Sequence, residues 1–142
     1  QGTPKEIFES PQKPKTQAFV FKIRSFEMEL VSQNYDFYAL IGGIENFCFR
    51  NAVSIKMTRR LPLVVEELVR NTIMPLYGNC KLTISYSEAQ NAVELSAVYN
   101  AENENALDKA DELSAMIIEK SASKIEHSFD DTEKCNILKI TF

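Results

Sequence analysis

KLTISYSEAQNAVELSAVY, residues 81–99, alternates apolar and polar side chains twice with a break in the middle. Leu82, Ile84 and Tyr86 form one series, and Val93, Leu95, Ala97 and Tyr99 form the second. Residues 89–91 read as a tight turn between them, so the stretch predicts an antiparallel hairpin with one buried face. Upstream, Phe26, Met28 and Leu30 alternate with Glu27, Glu29 and Val31, which is strand periodicity again. Leu40, Ile41, Ile44, Phe47 and Cys48 recur at helical spacing, predicting a helix over 36–53 capped by Asp36 and weakened by Gly42 and Gly43. Leu61, Val64, Val65, Leu68 and Ile73 predict a second helix over 60–76, with Pro62 near its start and Pro75 and Gly78 closing it. Downstream, Leu107, Ala110, Leu113, Ile117 and Ile118 predict a helix over 106–121. Ile125, His127 and Phe129 form a strand, residues 130–134 a polar turn, and Ile137, Leu138, Ile140 and Phe142 a final strand. The expected fold is an α/β sandwich of the α+β kind, with a mixed or antiparallel sheet covered on one face by three helices.

Composition bounds the function. At 142 residues and 44% hydrophobic the chain can bury one core. Sixteen basic against twenty acidic residues leave a net charge of −4, and without a basic cluster in the sequence no nucleic-acid partner is expected. No apolar run reaches the eighteen or so residues that a membrane-spanning helix needs, so any membrane association is expected only through a partner. Cys48, Cys80 and Cys135 are widely spaced and lack CxxC pairing, which suits buried thiols in a reducing cytoplasm better than disulfides or a metal site.

The opening GTPKEIFESPQKPKTQAF, residues 2–19, carries Thr3 before Pro4 with Glu6 in the following turn, a helix-start pattern. Pro11 and Pro14 then stop the helix and extend the chain, and a second short helix is expected over 16–23. This spacing of Gly2, Thr3, Pro4, Glu6, Ile7, Phe8, Pro11, Pro14, Thr16 and Phe19 resembles the end of the ATPase subunit of polar amino acid ABC importers. The resemblance spans residues 1–22. It implies a C-terminal extension of an amino acid transport ATPase, with the ABC ATPase domain and the transporter permease as partners through the parent chain. It also implies a cytoplasmic place, peripheral to the inner membrane through the transporter. A phosphate loop ending in Lys and Ser or Thr is missing from the sequence, so that ATPase machinery would lie upstream of Gln1.

VVEELVRNTI, residues 64–73, puts Glu67 and Asn71 four apart on one helical face. With the element order over 26–142, it resembles the N box of the GHKL superfamily of histidine kinases and anti-sigma factors. That resemblance implies division into 1–24, the end of an ABC ATPase plus linker, and 25–142, a GHKL-like domain. It also implies that Asn71 would hold Mg²⁺ on a nucleotide and that Glu67 would orient water or a hydroxyl. Where the superfamily has Asp-x-Gly-x-Gly, this chain has Asn100, Ala101, Glu102, Asn103 and Glu104, and ADELS at 110–114 replaces the second glycine-rich box. Asn100 could still meet adenine, but Glu102 and Glu104 would repel a polyphosphate and glycine's conformational freedom is lost. The expectation is no catalysis and no cofactor, with ATP/Mg at Glu67, Asn71 and Asn100 as the alternative.

Other chemistry has little support in the sequence. His127, in phase with Ile125 and Phe129, reads as a half-buried structural histidine. The carboxylates of Glu66, Glu67, Glu102, Glu104, Asp108 and Asp111 are candidates for one acidic rim, and no metal site is assigned to them. The function expected is a non-catalytic regulatory or interaction domain of an ABC transporter ATP-binding protein. The alternatives are an active ATP-binding domain of the anti-sigma or kinase kind, or a dimerisation module. A homodimer is expected to form through residues 19–31, where Phe19, Phe21 and Phe26 are more apolar than a free tail requires.

Overall fold

The computed structural model describes residues 23–142. The expected short helix, proline linker and most of the second helix lie outside them, as do Phe19 and Phe21. Ile23, placed by the sequence reading at the end of a helix, instead opens strand β1 (Ile23–Leu30).

Helix α1 (Phe37–Arg50) starts where Asp36 Oδ1 accepts the Ala39 N–H at 3.0 Å. It ends earlier than expected, at a left-handed turn. Ala52 has φ 54, its N–H bonds Phe49 O at 3.3 Å, and the Val53 N–H bonds Cys48 O at 3.0 Å. These two bonds make a Schellman cap, with alanine in the position that usually holds glycine. Helix α2 (Ile55–Val65) begins five residues before the expected start because the Ser54 hydroxyl caps it, accepting the Met57 N–H at 3.3 Å. Pro62 therefore sits inside the helix. The same rod continues as a π-helical segment (Glu66–Ile73) and a last turn, α3 (Met74–Tyr77), closed by Gly78 at φ 76.

Strands β2 (Cys80–Ser87) and β3 (Ala92–Asn100) form the expected hairpin. The single helix expected over 106–121 is two pieces. A 3₁₀ turn, Ala106–Lys109, is followed by extended Ala110 at ψ 150, and α4 (Glu112–Ser121) starts afresh on the Asp111 cap. Strands β4 (Lys124–Asp130) and β5 (Cys135–Thr141) complete an antiparallel sheet of order β1-β2-β3-β5-β4.

Register decides which face takes the helices. Phe26, Ile84, Leu95, Ile140 and Ile125 lie opposite one another across all five strands, and Met28, Leu82, Ala97, Leu138 and His127 form the next row. These rows pack beneath Leu40, Ile44, Leu61, Leu68 and Ile118. The opposite face carries Glu27, Thr83, Ser96, Lys139 and Glu126 in one row and faces water, as an antiparallel sheet can. Phe26, expected as part of a self-association surface, packs against the domain's own core, as does Met28. No helix among the described residues is long and apolar enough to cross a membrane.

Helix α1 comes close to β1 at Gly43, where an added Cβ would stand 2.8 Å from two atoms of the Phe26 ring, whereas at Gly42 it would meet nothing within 4 Å. Gly42→Ala should therefore stabilise the fold by about 0.5–1 kcal/mol through helix propensity. Gly43→Ala should forfeit that gain by displacing the Phe26 ring. Ala52→Gly should add about 1 kcal/mol by relieving the left-handed strain. Urea midpoints of the three variants check this; equal effects at 42 and 43 would contradict the close packing.

Candidate functional site

In an α-helix the ring of Pro75 would press on the carbonyl of Asn71. The chain widens instead: the Met74 N–H reaches back five residues to Val69 O, and the Thr72 hydroxyl donates to Glu67 O at 2.9 Å. Leu68, Val69, Thr72 and Ile73 face the core, while Glu67 is half-buried and Asn71 exposed. Such π segments often mark functional positions.

Glu67 and Asn71 do share a face, and their side chains bond each other. Asn71 Nδ2 donates to Glu67 Oε1 at 3.1 Å, and the Ser114 hydroxyl donates to the same oxygen at 2.6 Å. Ser114 is 2% exposed, its N–H bonds the capping carboxylate of Asp111 at 2.7 Å, and its oxygen lies 3.3 Å from Asp111 Oδ2. Glu67 thus ties the π segment to the start of α4. A hydroxyl held between two carboxylates and sealed from solvent is a strut, because a nucleophile must meet its substrate.

Asn100 belongs to a different network. Its N–H donates to Asn79 Oδ1 at 2.7 Å, and Asn79 Nδ2 returns a 3.4 Å bond to Asn100 O. The loop beyond it, residues 101–105, is held from beneath by side chains the sequence reading did not single out for this role. Asn136, fully buried on the apolar face of β5, donates from Nδ2 to Glu102 O at 2.9 Å and accepts the Glu104 N–H at 2.9 Å. The Tyr99 hydroxyl donates to Glu104 O at 2.6 Å and accepts the Ala106 N–H at 2.8 Å. Tyr77 stacks on Tyr99 with ring centroids 4.6 Å apart and donates its hydroxyl to the Glu104 carboxylate. Those two backbone bonds orient the Asn136 amide, so His127 Nε2, 2.9 Å from Asn136 Oδ1, must be the donor. His127 is half-buried and structural in this geometry. The one signal in the sequence was an asparagine inside an otherwise apolar strand.

The carboxylates expected on one rim separate. Glu67 and Asp111 meet at Ser114, Glu104 turns to Tyr77, and Glu66 pairs with Arg70 at 3.8 Å. Among the described residues no three His, Cys, Asp or Glu side chains gather as a metal site. Cys48, Cys80 and Cys135 are free and buried, and burial pushes the Cys80 thiol up to about 12. Such thiols are inert at neutral pH.

Open volume lies elsewhere, around the end of α1. A cleft of about 520 Å³ is lined by Arg24, Phe26, Asn46, Phe47, Arg50 and Asn51, among others. A second of about 440 Å³ lies among Cys48, Phe49, Val53, Ile55 and Arg59, and a third of about 180 Å³ again involves Arg24 and Arg50. None of the three is lined by Glu67, Asn71 or Asn100.

No family model matches the chain, and no curated protein matches it. Among solved structures it is similar to a chain of the SiaB–SiaC complex from Pseudomonas aeruginosa, with a TM-score of 0.65 and 12% identity over 91% of this chain and 95% of that one. At that identity the likeness is one of fold. It corrects the sequence-based assignment: the similarity is to a component of a two-protein complex and not to an ABC transporter extension. The transport function, the ABC ATPase and permease partners and the membrane association through them have no support, and the GHKL resemblance finds none either. A match confined to residues 1–22 could not specify the fold of the 120 that follow.

The buried network also sets an alkaline limit. Burial raises the Tyr99 phenol from 10.0 to about 12, and Tyr77 moves the same way through burial and its bond to Glu104. A raised pKa means the folded state holds the proton more tightly, so this stabilisation is complete below pH 10 and is lost as pH climbs through 12. Far-ultraviolet circular dichroism and tyrosinate absorbance, followed together, should show unfolding in that window. Tyr99→Phe should be less stable at neutral pH with a shallower alkaline slope; an unchanged slope would dismiss the role of this phenol.

Proposed function

We propose that this chain is a protein-binding module, without catalysis or cofactor of its own, that works in complex with a second protein. One observation carries the reading: the polar groups that could do chemistry satisfy one another, while large apolar side chains are left outside. Glu67 is occupied by Asn71 and Ser114, yet Phe49 is 84% exposed and Ile55 71%. Contiguous exposed apolar surface of this kind marks interaction sites. The fold neighbour's membership of a two-protein complex supports the same direction. Three free thiols suit a cytosolic setting. Pairing with a second copy, the finer expectation from the sequence, is the weaker choice because Phe26 and Met28 serve the domain's own core.

Reconstitution tests it. The chain, tagged at native abundance, should co-purify with one other protein, and the two purified proteins should re-form a stoichiometric complex by sedimentation. Calorimetry with ATP and Mg²⁺ should show no binding. A chain that stays monomeric with every co-purifying protein, or one that binds ATP at micromolar affinity lost in Asn71→Ala, would overturn the proposal.

A further inference from the structure

We infer that the surface around Phe49 and Ile55 receives an acidic amphipathic segment of the partner protein, with one bulky apolar side chain in the cleft and carboxylates on its basic rim. This rests on the reading as a protein-binding module and adds the face and the partner's chemistry. Phe49 and Ile55 flank the cleft of about 440 Å³, which Ala52, Val53 and Thr58 help to line. Both are far more exposed than the neighbouring Cys48 and Val53, which serve the core. The site is built on fixed backbone: the Schellman turn at Ala52 ends α1, and the Thr58 hydroxyl donates to Val53 O at 3.3 Å. A surface already in its bound shape loses less entropy on docking.

Charge selects the occupant. Residues 46–65 carry Arg50, Lys56, Arg59 and Arg60 and no carboxylate, in a chain with twenty acidic residues against sixteen basic; Glu45 stands just before them and Glu88 lines the smallest cleft with Arg24 and Arg50, so cations outnumber carboxylates around this surface. Arg60 turns inward, its Nη1 3.5 Å from Ser121 O, and Arg59 lines the apolar cleft itself. Arg50, the residue after Phe49, lines the more polar cleft together with Arg24, Asn46 and Asn51. An apolar slot beside a cationic trough fits a helix or strand bearing one large apolar residue and flanking Asp or Glu. Aromatic and arginine side chains at such a centre commonly dominate binding. Nucleic acid suits it less, since an apolar slot offers a phosphate backbone nothing and the chain is net negative.

A photoreactive benzophenone amino acid placed at position 49 or 55 of the full chain, with position 85 on the open sheet face as comparison, tests the assignment. Adducts from 49 and 55 should map to one segment of a second protein that combines apolar and acidic residues. A synthetic peptide of that segment should bind the chain, weaken at least about tenfold in Phe49→Asp and in Arg59→Glu, and weaken as salt rises from ~0.1 M to ~1 M. Phe49 is exposed, so its replacement should leave the circular dichroism unchanged, and Lys56→Glu supplies a second variant acting through charge alone. A peptide indifferent to all three variants, or adducts with nucleic acid or a second copy of the chain, would overturn it. Adducts only from position 85 would move the contact to the sheet and leave the binding-module reading standing. No adduct at any position together with no reconstituted complex would remove both.

Discussion

One face of the five-stranded sheet is apolar and the other carries hydroxyls and charges, so helices can gather on one side only. That asymmetry comes from strict alternation: Leu82, Ile84 and Tyr86 are buried while Lys81, Thr83 and Ser85 are not. A slip of one residue in any strand would exchange the faces, which makes the register stiff. With all helices in one layer, their outer surfaces are where apolar side chains such as Phe49 and Ile55 stand clear of the core. The polar struts, Glu67 with Ser114 and Asn136 with the 101–105 loop, sit where the layer meets itself or the sheet.

Much of this architecture was legible in the sequence. The hairpin at 82–99 and the strand pair ending in Ile140 follow from period-two alternation, and α1 follows from Leu40, Ile44 and Phe47 with the Asp36 cap. Other features were hidden for physical reasons. The start of α2 is set by Ser54, a hydroxyl that competes with a later and more apolar run for the same role. The widened helix at Glu66–Ile73 preserves the apolar spacing that any helix would show, so nothing in the pattern distinguishes it. The break at Ala110 lies within a continuous helical pattern, and the Asp111 cap that restarts the helix is also a common surface residue.

The candidate site was legible only as far as local spacing reaches. Glu67 and Asn71 were placed together because four residues make one helical turn, and they do touch. The third member of that cluster, Ser114, comes from 47 residues away, and Asn136 meets Glu102 across 34. Such pairings depend on tertiary packing, which periodicity does not encode. The basic run at 50–60 is hidden for a different reason, since a net charge of −4 averages over the whole chain and conceals a local reversal.

The order of the strands has a consequence for the nascent protein. β5 follows β4 in the chain but lies between β3 and β4 in the sheet. During synthesis on the ribosome, β4 therefore emerges with no neighbour to dock against, since the edge of β3 belongs to a strand not yet translated. Its Ile125 and Phe129 must wait in water until Cys135–Thr141 is complete and slots in beside β3. Sheet closure is thus postponed until β5 has been translated, the interval in which an unpaired edge is most open to capture by chaperones or by other chains.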